Sequence, residues 1–199
     1  APRYAQKGLP GVQFNAVLEL KVMADVGLVG LPNAGKSSLI AAVSHATPKI
    51  ADYPFTTLTP EVGVIELPDY RCIVMADIPG IIEGASGGKG LGIQFLKHVE
   101  RTRVLLFVLD ISEYAETPAE TALETLRKEI ELFGQGLADK TFLIAANKVD
   151  LDPDGALLEA FSEKLDAGLR ERLYPISAAT KQGLDGLVAA LDRVVHDTR

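Results

Sequence analysis

The stretch Ala24-Asp25-Val26-Gly27-Leu28-Val29-Gly30-Leu31-Pro32-Asn33-Ala34-Gly35-Lys36-Ser37-Ser38-Leu39-Ile40 decides the fold. Its aliphatic run over 24–29 reads as a buried strand, and a helical pattern over 36–45 follows the intervening loop at once. That loop is G-x-x-x-x-G-K-S, lying directly after a strand and opening a helix, the context such a loop requires. Glycines at both ends let the backbone curl so that successive N–H groups point inward at phosphate oxygens, and the helix N-terminus adds its positive end. On this reading Gly30, Leu31, Pro32, Asn33, Ala34, Gly35, Lys36 and Ser37 cradle a polyphosphate. Lys36 bridges the β- and γ-phosphates, and the Ser37 hydroxyl ligates Mg²⁺. A Gly-rich turn that only caps a helix is the plainer alternative.

Working outward, strand-like runs recur at 62–67, 71–76, 104–109, 141–146 and 172–175, separated by helical patterns at 92–100, 118–133, 156–167 and 184–196. In the second of these helices Ala119, Leu123, Leu126, Ile130 and Phe133 repeat at steps of three or four, as a core-facing stripe requires. Alternation of this kind predicts an α/β fold of the three-layer P-loop NTPase type, a mostly parallel six-stranded sheet with helices on both faces. Only 62–67 and 71–76, joined by a short turn, are expected to form an antiparallel hairpin. Residues 1–20, punctuated by Pro2, Gly8, Pro10 and Gly11, read as a linker or the tail of a preceding domain, and 21–199 as the nucleotide-binding domain.

Composition narrows the possibilities. With 199 residues, 47% hydrophobic and 24% charged, one globular domain is the default. A net charge of −7 argues against a surface that is one large nucleic-acid footprint, so any RNA contact is expected to be local or made by other parts. The single cysteine, Cys72, rules out an internal disulfide framework and fits a reducing, cytoplasmic compartment. No apolar stretch approaches the length of a membrane span, so membrane association is not expected; a monomer is the expected state. The chain begins at Ala1 without methionine, which suggests a fragment of something longer.

The base must be read elsewhere than in the phosphate loop. Asn147-Lys148-Val149-Asp150 closes the run 141–146, giving N-K-x-D at the edge of the sheet where ligands bind in such folds. The Asp150 carboxylate accepts from both N1–H and the 2-amino group of guanine, whereas adenine lacks the amino group and presents an acceptor at N1. Leaving that buried carboxylate unpaired rejects ATP. Asn147 completes the base edge and ties loops together, and the aliphatic stem of Lys148 lies against the base plane. Asp77-Ile78-Pro79-Gly80 ends the strand 71–76 as D-x-x-G, with Asp77 placed to hold Mg²⁺ through water and the Gly80 N–H to sense the γ-phosphate. Between the first helix and second strand, Thr56 or Thr57 reaches the metal only when a γ-phosphate is present, the logic of a switch loop. Ser177-Ala178-Ala179 offers backbone N–H groups to guanine O6. Standing alone, each of these shorter signals also fits an ordinary loop.

Taken in order, G-L-P-N-A-G-K-S, the run 51–58, Asp77-Ile78-Pro79-Gly80 and the following Ile81-Ile82-Glu83-Gly84-Ala85 resemble the Obg/CgtA family of GTPases. The resemblance runs from about Leu18 to the C-terminus, and the opening segment is similar to the end of that family's glycine-rich N-terminal domain. It implies that Thr57 is the Mg²⁺ threonine, that Phe55, Thr56, Thr57, Leu58 and Thr59 flank the nucleotide, and that the protein acts in the cytoplasm on the large ribosomal subunit, in assembly or stress signalling.

Two further features qualify the chemistry. Ile81 stands where Ras-like patterns have the glutamine that orients the attacking water, so unassisted hydrolysis is expected to be slow. Asn33 is a candidate K⁺ ligand beside the β- and γ-phosphates, as in the potassium-dependent GTPases it resembles; capping the turn is the equal alternative. Gly88-Lys89-Gly90-Leu91-Gly92 reads as switch backbone, and His45, His98 and His196 lack metal-ligand spacing. A GTP-hydrolysing switch explains all five elements. A module that holds the nucleotide without turnover explains four, and a related ribosome-associated ATPase is opposed by Asp150.

Overall fold

The central strand explains the layering. In the computed structural model, β5 (Thr102–Asp110) sends Val104, Leu106 and Val108 into one core and Leu105, Phe107 and Leu109 into the other, all of them buried. A strand with two apolar faces must be covered on both, so the run without polar alternation that marks it in the sequence also dictates a three-layer arrangement. The structure describes residues 24–44, 49–50, 61–77, 102–133 and 139–197, together with positions 4, 8 and 11.

The sheet is ordered β2-β3-β4-β1-β5-β6-β7. Its members are β1 (Ala24–Val29), β2 (Lys49–Ile50), β3 (Glu61–Glu66), β4 (Cys72–Asp77), β5, β6 (Phe142–Asn147) and β7 (Leu173–Pro175). Pairings β4–β1, β1–β5, β5–β6 and β6–β7 are parallel, whereas β2–β3 and β3–β4 are antiparallel. The expected six strands are all present, and the two-residue β2 adds a seventh at the edge. So short an edge carries no periodicity that a sequence pattern can register.

One face of the sheet is covered by α1 (Lys36–Val43) and α5 (Leu184–Asp197), which contribute Leu39, Ile40, Leu187 and Leu191 to the first core. The other is covered by α2 (Ala119–Phe133) and α3 (Ala156–Lys164), which contribute Leu123, Leu126, Ile130 and Phe161. The expected stripe of α2 is buried at Ala119, Leu123, Leu126 and Ile130; the side chain of Phe133 lies outside the described set, as do the expected helix at 92–100, the Gly88–Gly92 run and the side chains of His45 and His98.

The helix expected over 156–167 is in fact two. Leu165 is extended (φ −87°, ψ 146°), and Asp166 then caps a short α4 (Ala167–Arg170) by accepting from the Leu169 N–H at 2.9 Å. A carboxylate that captures an N–H three residues on competes with continuation of the previous helix. Cys72, within the run 71–76 expected as a strand, is the exposed first residue of β4. Among the described residues no helix is long and apolar enough to cross a membrane.

Candidate nucleotide-binding site

After β1 the chain moves to one side of that strand through β3 and β4, then crosses to its other side as β5. The strand order therefore reverses at β1, and the crevice at the carboxyl ends of β1 and β5 is where such sheets bind ligands. Three of the sequence-predicted loops meet there, because they follow β1, β6 and β7.

The phosphate loop is shaped by close approach. A Cβ on Gly30 would lie 2.5 Å from the Val108 carbonyl oxygen, and Gly35, at φ 95°, would drive a Cβ into the Asn147 amide nitrogen. Both positions exclude every residue but glycine, one by contact with backbone and one by conformation as well. Asn33 is itself left-handed at φ 62° and exposed, while Ala34 is buried. Lys36 donates from Nζ to the carbonyls of Gly30 (3.0 Å) and Leu31 (3.3 Å). Both acceptors are neutral, and among the described residues no carboxylate pairs with the ammonium.

Asn147 joins the loops. Only 2% exposed, it donates from Nδ2 to the Ala34 carbonyl at 2.8 Å and accepts at Oδ1 from the Ala178 N–H at 3.0 Å. One amide thus fixes the phosphate loop, the end of β6 and the segment 177–179 relative to one another. That segment is held further by the Ser177 N–H donating to the Gln182 carbonyl (3.0 Å) and the Thr180 N–H donating to Ser177 Oγ (3.0 Å). Of the three N–H groups expected to face the base, those of Ser177 and Ala178 are therefore spent within the protein. That of Ala179 is the one not engaged among the described residues.

Beyond Asn147 the backbone turns through the left-handed Lys148 (φ 71°) into a single 3₁₀ turn, Val149–Leu151. This turn carries Asp150 past the end of the sheet, so the carboxylate expected to be buried is exposed; only a base laid across it would remove it from water. Lys148 Nζ pairs with Asp110 Oδ2 at 2.5 Å, and Asp110 Oδ1 accepts from the N–H (2.9 Å) and Oγ (2.7 Å) of Ser112. Asp110 and Ser112 escape a motif reading. Their only trace is an acid closing a long apolar strand, a signal shared with many helix-capping turns.

Ser37, the second residue of α1, is exposed, and Asp77 ends β4 in register with Leu28 of β1. Strand pairing therefore brings the Asp77 carboxylate to the sheet edge from which the phosphate loop springs. A hydroxyl and a carboxylate are hard oxygen donors of the kind Mg²⁺ takes, and a set this sparse suits an ion that keeps most of its waters. Phe55, Thr56, Thr57, Leu58, Thr59, Ile78, Pro79, Gly80 and Ile81 lie outside the described residues.

A mostly parallel sheet reversing at its first strand, with a glycine-bounded loop running from that strand into a helix, defines the P-loop class of α/β nucleotide-binding proteins. Residues 25–148 match the family described as 50S ribosome-binding GTPase, and the chain belongs to that family. It is 48% identical over 198 residues to a GTPase Obg of Thermodesulfovibrio yellowstonii, covering 98% of this chain and 58% of that protein. To a GTPase Obg of Chlorobium phaeobacteroides it is 52% identical over 187 residues, 94% of this chain and 55% of that one. The chain thus spans a little over half the length of these curated relatives, and the resemblance read from its motifs is borne out. In fold alone it is similar to the cytosolic domain of L. pneumophila FeoB, with a TM-score of 0.63 at 22% identity over 85% of this chain and 62% of that one.

Proposed function

We propose that this chain is a Mg²⁺-dependent guanine-nucleotide switch that binds GTP and GDP and hydrolyses GTP slowly. The observation that carries the reading is the Asn147 amide, which locks the phosphate loop and N-K-x-D into one wall. Phosphates on the loop and a base against Asp150 are then parts of one ligand. Asp150 would accept from guanine's N1–H and 2-amino group, the Ala179 N–H would donate to O6, and covering Asp150 would make an ill-matched adenine costly.

Lys36 exchanges its two carbonyl acceptors for phosphate oxygens, a trade favoured by charge. Ser37, Asp77 and, in the GTP state, Thr57 are the residues that would hold Mg²⁺; the ion neutralises charge on the β- and γ-phosphates when bound. Gly80 would follow the γ-phosphate through its N–H. Because the Ile81 side chain neither donates nor accepts a hydrogen bond, the water must be oriented by other groups, and basal turnover is slow. Asn33 is proposed as a K⁺ ligand in the same reaction, although its left-handed backbone also gives it a turn-forming role of its own. Action in the cytoplasm on the large ribosomal subunit is proposed from the family, through parts present in its longer relatives.

Titration with GTP, GDP and ATP in Mg²⁺ tests the reading. GTP and GDP should bind far more tightly than ATP, Asp150→Asn should shift preference toward xanthine nucleotides, and Lys36→Ala should weaken GTP without unfolding the chain. Equal affinity for ATP and GTP would remove the guanine assignment.

A further inference from the structure

Asp110 closes β5 directly beside Asn147, its register partner on β6. Two donors from the buried Ser112 fix one carboxylate oxygen, and so the plane of the group, leaving Oδ2 for the Lys148 ammonium at 2.5 Å. The other end of Lys148 is fixed as well. Its backbone is left-handed, its carbonyl accepts from the Leu151 N–H at 3.0 Å, and the next residue donates from its N–H to the Ile176 carbonyl at 3.2 Å. A side chain with four rotatable bonds is thus pinned at both ends. With Leu31–Ala34 and the segment 114–117, Lys148 and Asp110 line a cavity of about 280 Å³ beside the phosphate loop.

The two lysines of the site differ accordingly. Lys36 rests on neutral carbonyls and keeps its charge for an anion, whereas Lys148 is neutralised by a carboxylate that is only 14% exposed. What Lys148 has left to offer a nucleotide is its hydrocarbon stem, already ordered before the ligand arrives.

We propose that Asp110 is a positioning residue for the purine ring: it anchors the Lys148 ammonium so that the stem forms a fixed apolar shelf for the face of the base. This rests on the proposed binding of guanine at N-K-x-D and adds a division of labour to it. Asp150 reads the edge of the base, which distinguishes guanine from other purines. Asp110, through Lys148, supports the face, which all purines share. Freeing the ammonium restores rotamer freedom to the stem, and binding must then order it again.

The test is stopped-flow dissociation of fluorescent GDP and of fluorescent IDP, which lacks the 2-amino group, from the folded chain. Asp110→Asn should speed release of both by the same factor, roughly three- to tenfold, since ordering one long side chain is the cost restored. Lys148→Met keeps an unbranched stem without the charge, and in that background Asp110→Asn should add nothing. An unchanged release rate, or the same acceleration with and without Lys148, would overturn the proposal. So would a fall in the GDP-over-IDP preference, because that would mean the whole loop had moved. Asp150→Asn serves as the reference: if it leaves the GDP-over-IDP preference intact, the guanine reading fails whatever Asp110 does.

Discussion

Replacing Asn147 by alanine removes one donor and one acceptor that hold three loops. The Ala34 carbonyl and the Ala178 N–H both lose their partner, at residues 3% and 9% exposed. Each buried polar group left unsatisfied costs about 1–3 kcal/mol, and water reaching the less covered Ala178 recovers part of this, so a net loss of about 2–4 kcal/mol is expected. In a domain of this size each kcal/mol shifts the midpoint by about 2–4 °C, which places the fall at roughly 5–15 °C. Asn147→Asp is the sharper perturbation, since it keeps the shape and the acceptor toward Ala178 but sets a carboxylate oxygen against the Ala34 carbonyl, which is 2.8 Å from the present nitrogen. At neutral pH it should be at least as damaging as alanine. Repulsion and burial raise the carboxyl's folded-state pKa above its unfolded value, so the protonated form favours folding. Its deficit relative to wild type should therefore shrink as pH is lowered from about 7 toward 4, where a protonated carboxyl can donate again. Thermal melts by circular dichroism across that range measure both effects. An Asp variant as stable as wild type at pH 7, or an Ala variant with no loss, would refute the argument that this amide ties the loops.

Two other outcomes follow from the same geometry. Gly30→Ala should disrupt the phosphate loop, because its methyl would sit 2.5 Å from a backbone oxygen of the central strand; loss of GTP binding in a calorimetric titration checks this, and unchanged affinity would contradict the close approach. Asn33→Gly preserves a left-handed backbone while deleting the amide, which Asn33→Ala would not do. If Asn33 holds a cation, hydrolysis should run faster in K⁺ than in Na⁺ at equal ionic strength and the glycine variant should lose that difference, whereas identical rates in both salts would leave the turn as its only role.

The sequence alone settled what depends on local order. A strand, a glycine-bounded loop and a helix start in immediate succession define the phosphate loop, because N–H groups curl inward only with that spacing. The unbroken apolar run of β5 required cover on both faces. Strand alternation with amphipathic helices, such as the Ala119 to Ile130 stripe, fixed the parallel architecture. What the sequence left open were relations between residues far apart in the chain. Asn147 lies 113 residues from Ala34 and 31 from Ala178, and Lys148 lies 38 from Asp110. N-K-x-D marks Asn147 as an amide that ties loops, but no local pattern names the two groups it bridges, and none marks a carboxylate that will hold a lysine, since it is the register of β5 against β6 that sets Asp110 beside Asn147 and its neighbour Lys148. Exposure of Asp150 was decided the same way. A carboxylate read as buried from its task is carried into solvent by a left-handed residue and one 3₁₀ turn, and backbone conformation at a single position is set by the packing around it rather than by its residue type.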